Sequence, residues 1–228
     1  MRQLFADALP ALMMFDLDGT LVDSVPDLAR AVDQMLLALG REPAGEAQVR
    51  RWVGNGAQVL VQRALSGQLT VTEAPEAELF QVAMELFYSA YTQSNGRHAR
   101  VYEGVLPLLQ TLQAAGVSQA LVTNKPAAFT HPLLTQLQLA PFFEDVVCGD
   151  TLAEKKPHPA QLQWLLNKHG LSAGQVLMVG DSRNDVEAAR AVGCPVVCVS
   201  YGYNHGEPIS ACAPDRVVGC LSEIEVPR

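Results

Sequence analysis

The stretch FDLDGTLVDS, Phe15 to Ser24, follows the apolar run ALMMF and carries two aspartates, Asp16 and Asp18. An apolar run bounded by polar residues reads as a buried strand. A buried strand ending in two close carboxylates sets them to repel one another. Taken alone, Asp18-Gly19 reads as a turn. Whether it is more than a turn depends on what the rest of the chain brings to the same place.

The chain has 228 residues, enough for one large domain or for a core with an inserted subdomain. Hydrophobic residues make up 49% of it, which supports a sizeable core. The net charge of -8 argues against nucleic acid as a partner, since that would ask for a basic face. It does not exclude an anionic substrate, because a bound metal inverts the local field. The five cysteines, Cys148, Cys194, Cys198, Cys212 and Cys220, form no CxxC motif. They read as reduced, buried side chains, with zinc or redox chemistry as the alternative. Near the N-terminus Asp7 and Pro10 interrupt the apolar residues, so a signal peptide is not expected. No apolar segment approaches the ~20 residues of a membrane span. The expected location is the cytoplasm, with no membrane partner.

After ALMMF, SVPDLARAVDQMLLALG reads as a helix, with Leu28, Val32, Met35, Leu36 and Leu39 at helical spacing. Ser24 and Asp27 have the spacing of a capping box, and Gly40 is a plausible stop. WVGNGAQVLVQRALSG predicts a loop and then a helix, and APEAELFQVAMELFYSAYTQS a longer helix. No strand is expected from Ser24 to about Arg97. Beyond that point helical patterns alternate with the β-rich runs VSQALVTN, FEDVVCG, QVLMVGD and CPVVCVS, and DRVVGC is a candidate last strand. Runs apolar on both faces suit a parallel sheet covered by helices. The predicted fold is α/β: a doubly wound, Rossmann-like parallel sheet with an all-helical cap inserted after the first strand. The core is expected over 1–23 and 98–228, and the cap over 24–97.

In an open α/β sheet, ligands bind at the carboxyl ends of the strands. The first strand ends in Asp16 and Asp18, the second in Thr123 and Asn124, and the fourth in Asp181 with Asp185 one turn on. Lys155 and Lys156 precede the helix after the third strand. Singly, Thr123-Asn124 reads as a turn, Lys156 as a solvated lysine, and Asp185 as a helix N-terminal acid. Their joint order at one sheet edge points further. Converging carboxylates call for a cation, and oxygen-only ligands suit Mg²⁺. An aspartate can be a covalent nucleophile, and a second carboxyl can shuttle a proton. A lysine offsets the charge, while hydroxyls and amides hold phosphoryl oxygens.

FDLDGTLVDS, LVTNKP, KKPHP and VGDSRNDVEAARAVG together resemble the four motifs of the haloacid dehalogenase-like phosphohydrolases, and the resemblance covers essentially the whole chain. It implies an aspartyl-phosphate mechanism with Asp16 as nucleophile and Asp18 as general acid/base. It implies Thr123 and Asn124 at the phosphoryl group, with Gly19 and Thr20 lining the substrate site. Lys156, directly before Pro157, matches the motif lysine, and Lys155 is the weaker candidate. Mg²⁺ would be held by Asp16, Asp181 and the Asp18 carbonyl, with Asp185 in support. WVGNGA, DSVPDLA and YGYNHGEPI resemble the bacterial phosphoglycolate phosphatase branch, while VYEGV departs from it at Glu103, where a proline is expected. That branch implies a small phosphorylated metabolite, 2-phosphoglycolate, as substrate, and a monomer or homodimer. Arg51 and Asn55 are the candidates to receive its carboxylate, against a bland reading of GNG as a helix-start loop. The alternatives are the same chemistry on a sugar phosphate or pyrophosphate, a phosphomutase, a metal-free dehalogenase, and an inactive binding protein. Asp18 argues against the dehalogenase, since a leaving halide needs no proton.

Overall fold

ALMMF becomes the centre of a sheet. In the computed structural model, which describes Phe5 and residues 9–226, Leu12 to Phe15 are fully buried. The elements run β1 (Leu12–Phe15), β2 (Val22–Asp23), α1 (Val25–Ala38), α2 (Glu46–Trp52), α3 (Ala57–Ser66) and α4 (Ala77–Ser94). They continue with β3 (Arg100–Val101), α5 (Val105–Ala114), β4 (Ser118–Val122), α6 (Ala127–Gln136), β5 (Asp145–Val147) and α7 (Ala160–His169). Last come β6 (Val176–Gly180), α8 (Arg183–Val192), β7 (Val196–Val199) and β8 (Arg216–Val218).

Six strands form one parallel sheet in the order β5-β4-β1-β6-β7-β8. Alternate residues of each strand serve opposite faces. Met13 and Phe15 join Leu121, Leu177 and Val179 on the face covered by α5 and α6. Leu12 and Met14 join Val122, Met178 and Cys198 on the face covered by α7 and α8. Burying one such side chain contributes about 1.5–3 kcal/mol. With both faces covered, strands without polar alternation are what the fold requires. From β1 the chain winds out through β4 to β5, then crosses back to β6 on β1's other side. That reversal opens a crevice at the carboxyl ends of β1, β4 and β6.

The helices α1 to α4 build a separate apolar cluster, the cap, around Leu28, Val32, Met35, Trp52, Leu60, Phe87 and Tyr91. Two core residues, Phe129 and Tyr203, pack into it. Three sequence expectations need correction or addition. The segment before WVGNGA is the helix α2, too short to show a clear period. Ser24 does not cap α1: its backbone is already helical (φ -98°, ψ -5°), and its hydroxyl has no partner among the described residues. Asp27 instead accepts the backbone N–H groups of Gly96, His98 and Ala99 at 2.8–3.0 Å, tying the cap's exit to its entrance. Finally, β2 and β3 pair antiparallel, Val22 with Val101 and Asp23 with Arg100. Two-residue strands leave no periodic signal.

All five cysteines are free, and Cys148, Cys194 and Cys198 are buried. Among the described residues no helix is long and apolar enough to cross a membrane. The N-terminal residues on which the signal-peptide reading rested lie largely outside the described ones.

Candidate active site

Each strand around the crevice ends by delivering polar groups. The Asp16 N–H continues the ladder to the Val179 carbonyl at 2.9 Å, so the carboxylate leaves β1 at a fixed place. Gly19 then turns the chain at φ +89°. A Cβ at Gly19 would lie 2.2 Å from Asp181 Oδ2, so glycine is needed for space as well as for conformation. Asp16, Asp181 and Asp185 are buried and offer oxygens all within 4.8 Å of one another.

Lys156, bonded to Pro157 through a cis peptide, reaches into this cluster. Its ammonium donates to Asp16 Oδ1 at 2.8 Å, Asp185 Oδ1 at 2.7 Å and the Val122 carbonyl at 2.6 Å. Those acceptors use all three of its hydrogens. Burial works against its charge, but Asp16 and Asp185 outweigh burial and hold Lys156 above the ordinary lysine value. Asp185 Oδ2 accepts the N–H groups of Asp181 and Ser182 and the Ser182 hydroxyl. Asp185 is thus both the acid of the α8 capping box and the anchor of Lys156.

The cluster carries more negative charge than one lysine offsets. Burial pushes the Asp16 carboxyl up to about 7; Lys156 opposes this, while Asp185 and Asp18 add to it. Burial, then Asp185 and Asp16, hold Asp181 well above the usual carboxylate range. Asp181 Oδ1 accepts the Thr20 hydroxyl at 3.2 Å, and Oδ2 accepts the Tyr203 N–H. Thr20 therefore orients a carboxylate. An all-oxygen, over-negative donor set held by second partners fits a hard divalent cation.

Asp18 stands apart from the three. Its carboxylate meets the ammonium of Lys125 at 3.1 and 3.3 Å, and Lys125 also donates to the Tyr91 hydroxyl from the cap. Between core and cap lies a small cavity of about 40 Å³. Asp16, Asp18, Thr123, Lys125 and Lys156 line its core side, and Leu28, Gly54, Phe87 and Tyr91 its cap side. The Gly54 carbonyl is held by two core amides, Asn124 Nδ2 at 3.0 Å and Asn184 Nδ2 at 3.1 Å. Asn124 also donates to the Lys156 carbonyl at 2.8 Å.

Among the residues singled out in sequence, Asp16, Asp18, Thr123, Asn124 and Lys156 share this cavity. Asp181 and Asp185 lie behind Asp16 and Lys156. Asn55 is half-buried and donates to Asn184 Oδ1 at 3.3 Å. Arg51 is not brought to the cavity: its side chain is exposed, and its carbonyl accepts the His205 ring N–H at 2.9 Å. Lys155 is half-buried beside Gly56. The sequence reading passed over Lys125, Tyr91 and Asn184. Lys125 had a signal, since it sits two residues beyond Thr123 at a strand's carboxyl end.

Comparison with known proteins agrees with this geometry. The family model for haloacid dehalogenase-like hydrolases matches residues 13–199. The chain belongs to that family. The hydrolase is 53% identical to a phosphoglycolate phosphatase of Pseudomonas putida over 96% of this chain and 80% of the relative. It is 50% identical to one of Vibrio parahaemolyticus over 93% of each chain. Its structure is similar to the crystal structure of a predicted phosphoglycolate phosphatase from Haemophilus somnus. There the TM-score is 0.89 at 39% identity, covering 94% of the hydrolase and 96% of the neighbour.

Proposed function

We propose that this hydrolase cleaves a small phosphomonoester with Mg²⁺, through an aspartyl-phosphate on Asp16, and that the substrate is 2-phosphoglycolate. The observation that carries the reading is the convergence of four chain segments on Lys156 and its neighbours, with Asp18 across the same cavity. The substrate follows from the relatives of about half identity, which are named phosphoglycolate phosphatases.

In the proposed reaction an Asp16 oxygen attacks phosphorus, and the ester oxygen leaves with a proton from Asp18. Asp18 then takes a proton from water, which attacks the aspartyl-phosphate and releases phosphate and free Asp16. Lys156 holds Asp16 in place and lowers the cost of negative charge around it. Thr123, buried just after β4 and lining the cavity, would donate to a phosphoryl oxygen. Asp16 and Asp181 would hold the Mg²⁺, with Asp185 within reach. When bound, the ion supplies positive charge to the carboxylates and to the phosphoryl oxygens.

The test is phosphate release from a panel of monoesters, with and without Mg²⁺, after exhaustive chelation. The expected result is no release without the ion, full recovery with Mg²⁺, and 2-phosphoglycolate at or near the top in kcat/KM. Full activity after chelation would remove the metal from the reaction. A sugar phosphate ranked well above 2-phosphoglycolate would remove the substrate.

A further inference from the structure

Lys125 and Tyr91 have no part in the chemistry above, yet both are buried, at 5% and 1% exposure, and both line the reaction cavity. Lys125 comes from the core and Tyr91 from α4 of the cap. The Lys125 ammonium contacts both Asp18 oxygens, donates to the Tyr91 hydroxyl, and stands 4.8 Å from the centre of the Tyr91 ring. An ammonium has three hydrogens. Those of Lys156 are all engaged. Lys125 also has three acceptor atoms, but two of them are oxygens of the one Asp18 carboxylate, the farther at 3.3 Å, so an incoming anion can take over that longer contact while Asp18 keeps the shorter one. The Tyr91 hydroxyl accepts from Lys125, and its own hydrogen has no acceptor among the described residues.

Position tells what these two donors face. If Asp18 protonates the leaving oxygen, then Lys125, in contact with Asp18, stands beside the leaving group and not beside the phosphoryl group. The rest of that side is apolar, with Leu28, Leu60, Phe87 and Phe129. An anion brought there without a cationic partner would be strongly disfavoured. Lys125 is the lysine left to meet it.

We propose that Lys125 and Tyr91 form the specificity site for a small carboxylate on the leaving group. The ammonium hydrogen of the longer Asp18 contact and the Tyr91 hydroxyl hydrogen each take one carboxylate oxygen. The inference rests on the phosphatase reading above and adds which residues recognise the end of the substrate remote from phosphorus. A leaving group of similar size without the anion leaves the buried Tyr91 hydrogen unpaired and gives the Lys125 charge no new partner, and that is how a polar site discriminates.

The experiment compares kcat/KM for 2-phosphoglycolate and for ethyl phosphate, in which a methyl replaces the carboxylate. It uses the Mg²⁺-loaded wild type, Tyr91→Phe, Lys125→Met and Lys125→Arg. Tyr91→Phe is expected to lower the value for 2-phosphoglycolate about tenfold, mainly through KM, and so to cut its preference over ethyl phosphate severalfold. Lys125→Met is expected to reduce the preference for 2-phosphoglycolate about a hundredfold, and Lys125→Arg to recover part of it. Should Lys125→Met fail to fold, the conservative Tyr91→Phe still decides the matter. If the wild type prefers 2-phosphoglycolate and the variants keep that preference, this inference falls while the functional reading stands. If the wild type hydrolyses neither ester, or does not prefer 2-phosphoglycolate, the functional reading falls and takes the inference with it.

Discussion

Two buried lysines line one cavity, and their acceptors come from different places. Lys156 donates to Asp16, Asp185 and the Val122 carbonyl, all in the core. Lys125 donates to Asp18 in the core and to Tyr91 in the cap. Both are kept charged by carboxylates that outweigh burial. They differ in what they depend on. The Lys156 arrangement draws only on core segments: the ends of β1 and β4, the loop before α7 and the start of α8. The Lys125 arrangement exists only with the cap seated. On the proposed reading, the groups held by Lys156 carry the reaction, and the pair formed by Lys125 and Tyr91 selects what enters it.

The largest effect should come from breaking the core side. Asp16→Asn is expected to lower kcat by at least about 10⁴-fold with little change in Tm, since the amide oxygen still accepts from Lys156. Phosphate release and thermal unfolding together check this. Lys156→Met leaves Asp16 and Asp185 buried beside each other without their cation. Removing one member of a buried ion pair costs about 3–5 kcal/mol, to be read from denaturant unfolding. A variant as stable as wild type would mean that Asp16 and Asp185 do not need the lysine.

On the cap side the effects should be smaller and of a different kind. Asn184→Ala removes one of the two amides on the Gly54 carbonyl, a loss of about 1 kcal/mol. The expected outcome is a KM several-fold higher with kcat nearly unchanged. A fall in kcat alone would place Asn184 with the reaction machinery and blur the division between the two sides. The smallest effect serves as a control at the sheet's far edge. Burial opposes ionisation of Asp145, but Lys168 and His169 outweigh it and hold its carboxyl below the ordinary value. A carboxyl with a lowered folded-state pKa stabilises above its unfolded value, and that contribution is lost as pH falls through the folded one. Asp145→Asn should therefore be less stable than wild type near pH 7. The difference should close below about pH 4. Equal stability of the two at pH 7 would show that Asp145 contributes nothing.

What could be read from the sequence was what the chain states locally. An apolar run followed at once by Asp16, Thr123 or Asp181 shows a buried strand and its polar end together, so the sheet and its edge were legible. Lys156 was legible because a motif carried it. Lys125 lies in a motif too, two residues beyond Thr123, but its partner Tyr91 is 34 residues away in the cap, and no local pattern shows that they meet. Ser24 and Asp27 have the spacing of a cap, but three N–H groups from the far end of the helical block hold the carboxylate. Arg51 has the charge an anion would need, and only the path of α2 determines that it faces outward. Local pattern reveals elements and strand ends. Groups that meet across the cap do so through distances no local pattern contains.

The pairing of Val22 with Val101 and Asp23 with Arg100 has a consequence for how such enzymes change. The chain leaves the sheet and returns to it through neighbouring strands, whose Cα atoms in an antiparallel pair lie about 4.5–5.5 Å apart. Seen from the sheet, more than seventy intervening residues occupy the footprint of a hairpin turn. A different helical block with the same two-stranded stem could replace this one without moving Asp16, Lys156 or Asp181. Substrate range and reaction chemistry are thereby free to diverge separately, through exchange of one cassette on an unaltered catalytic base.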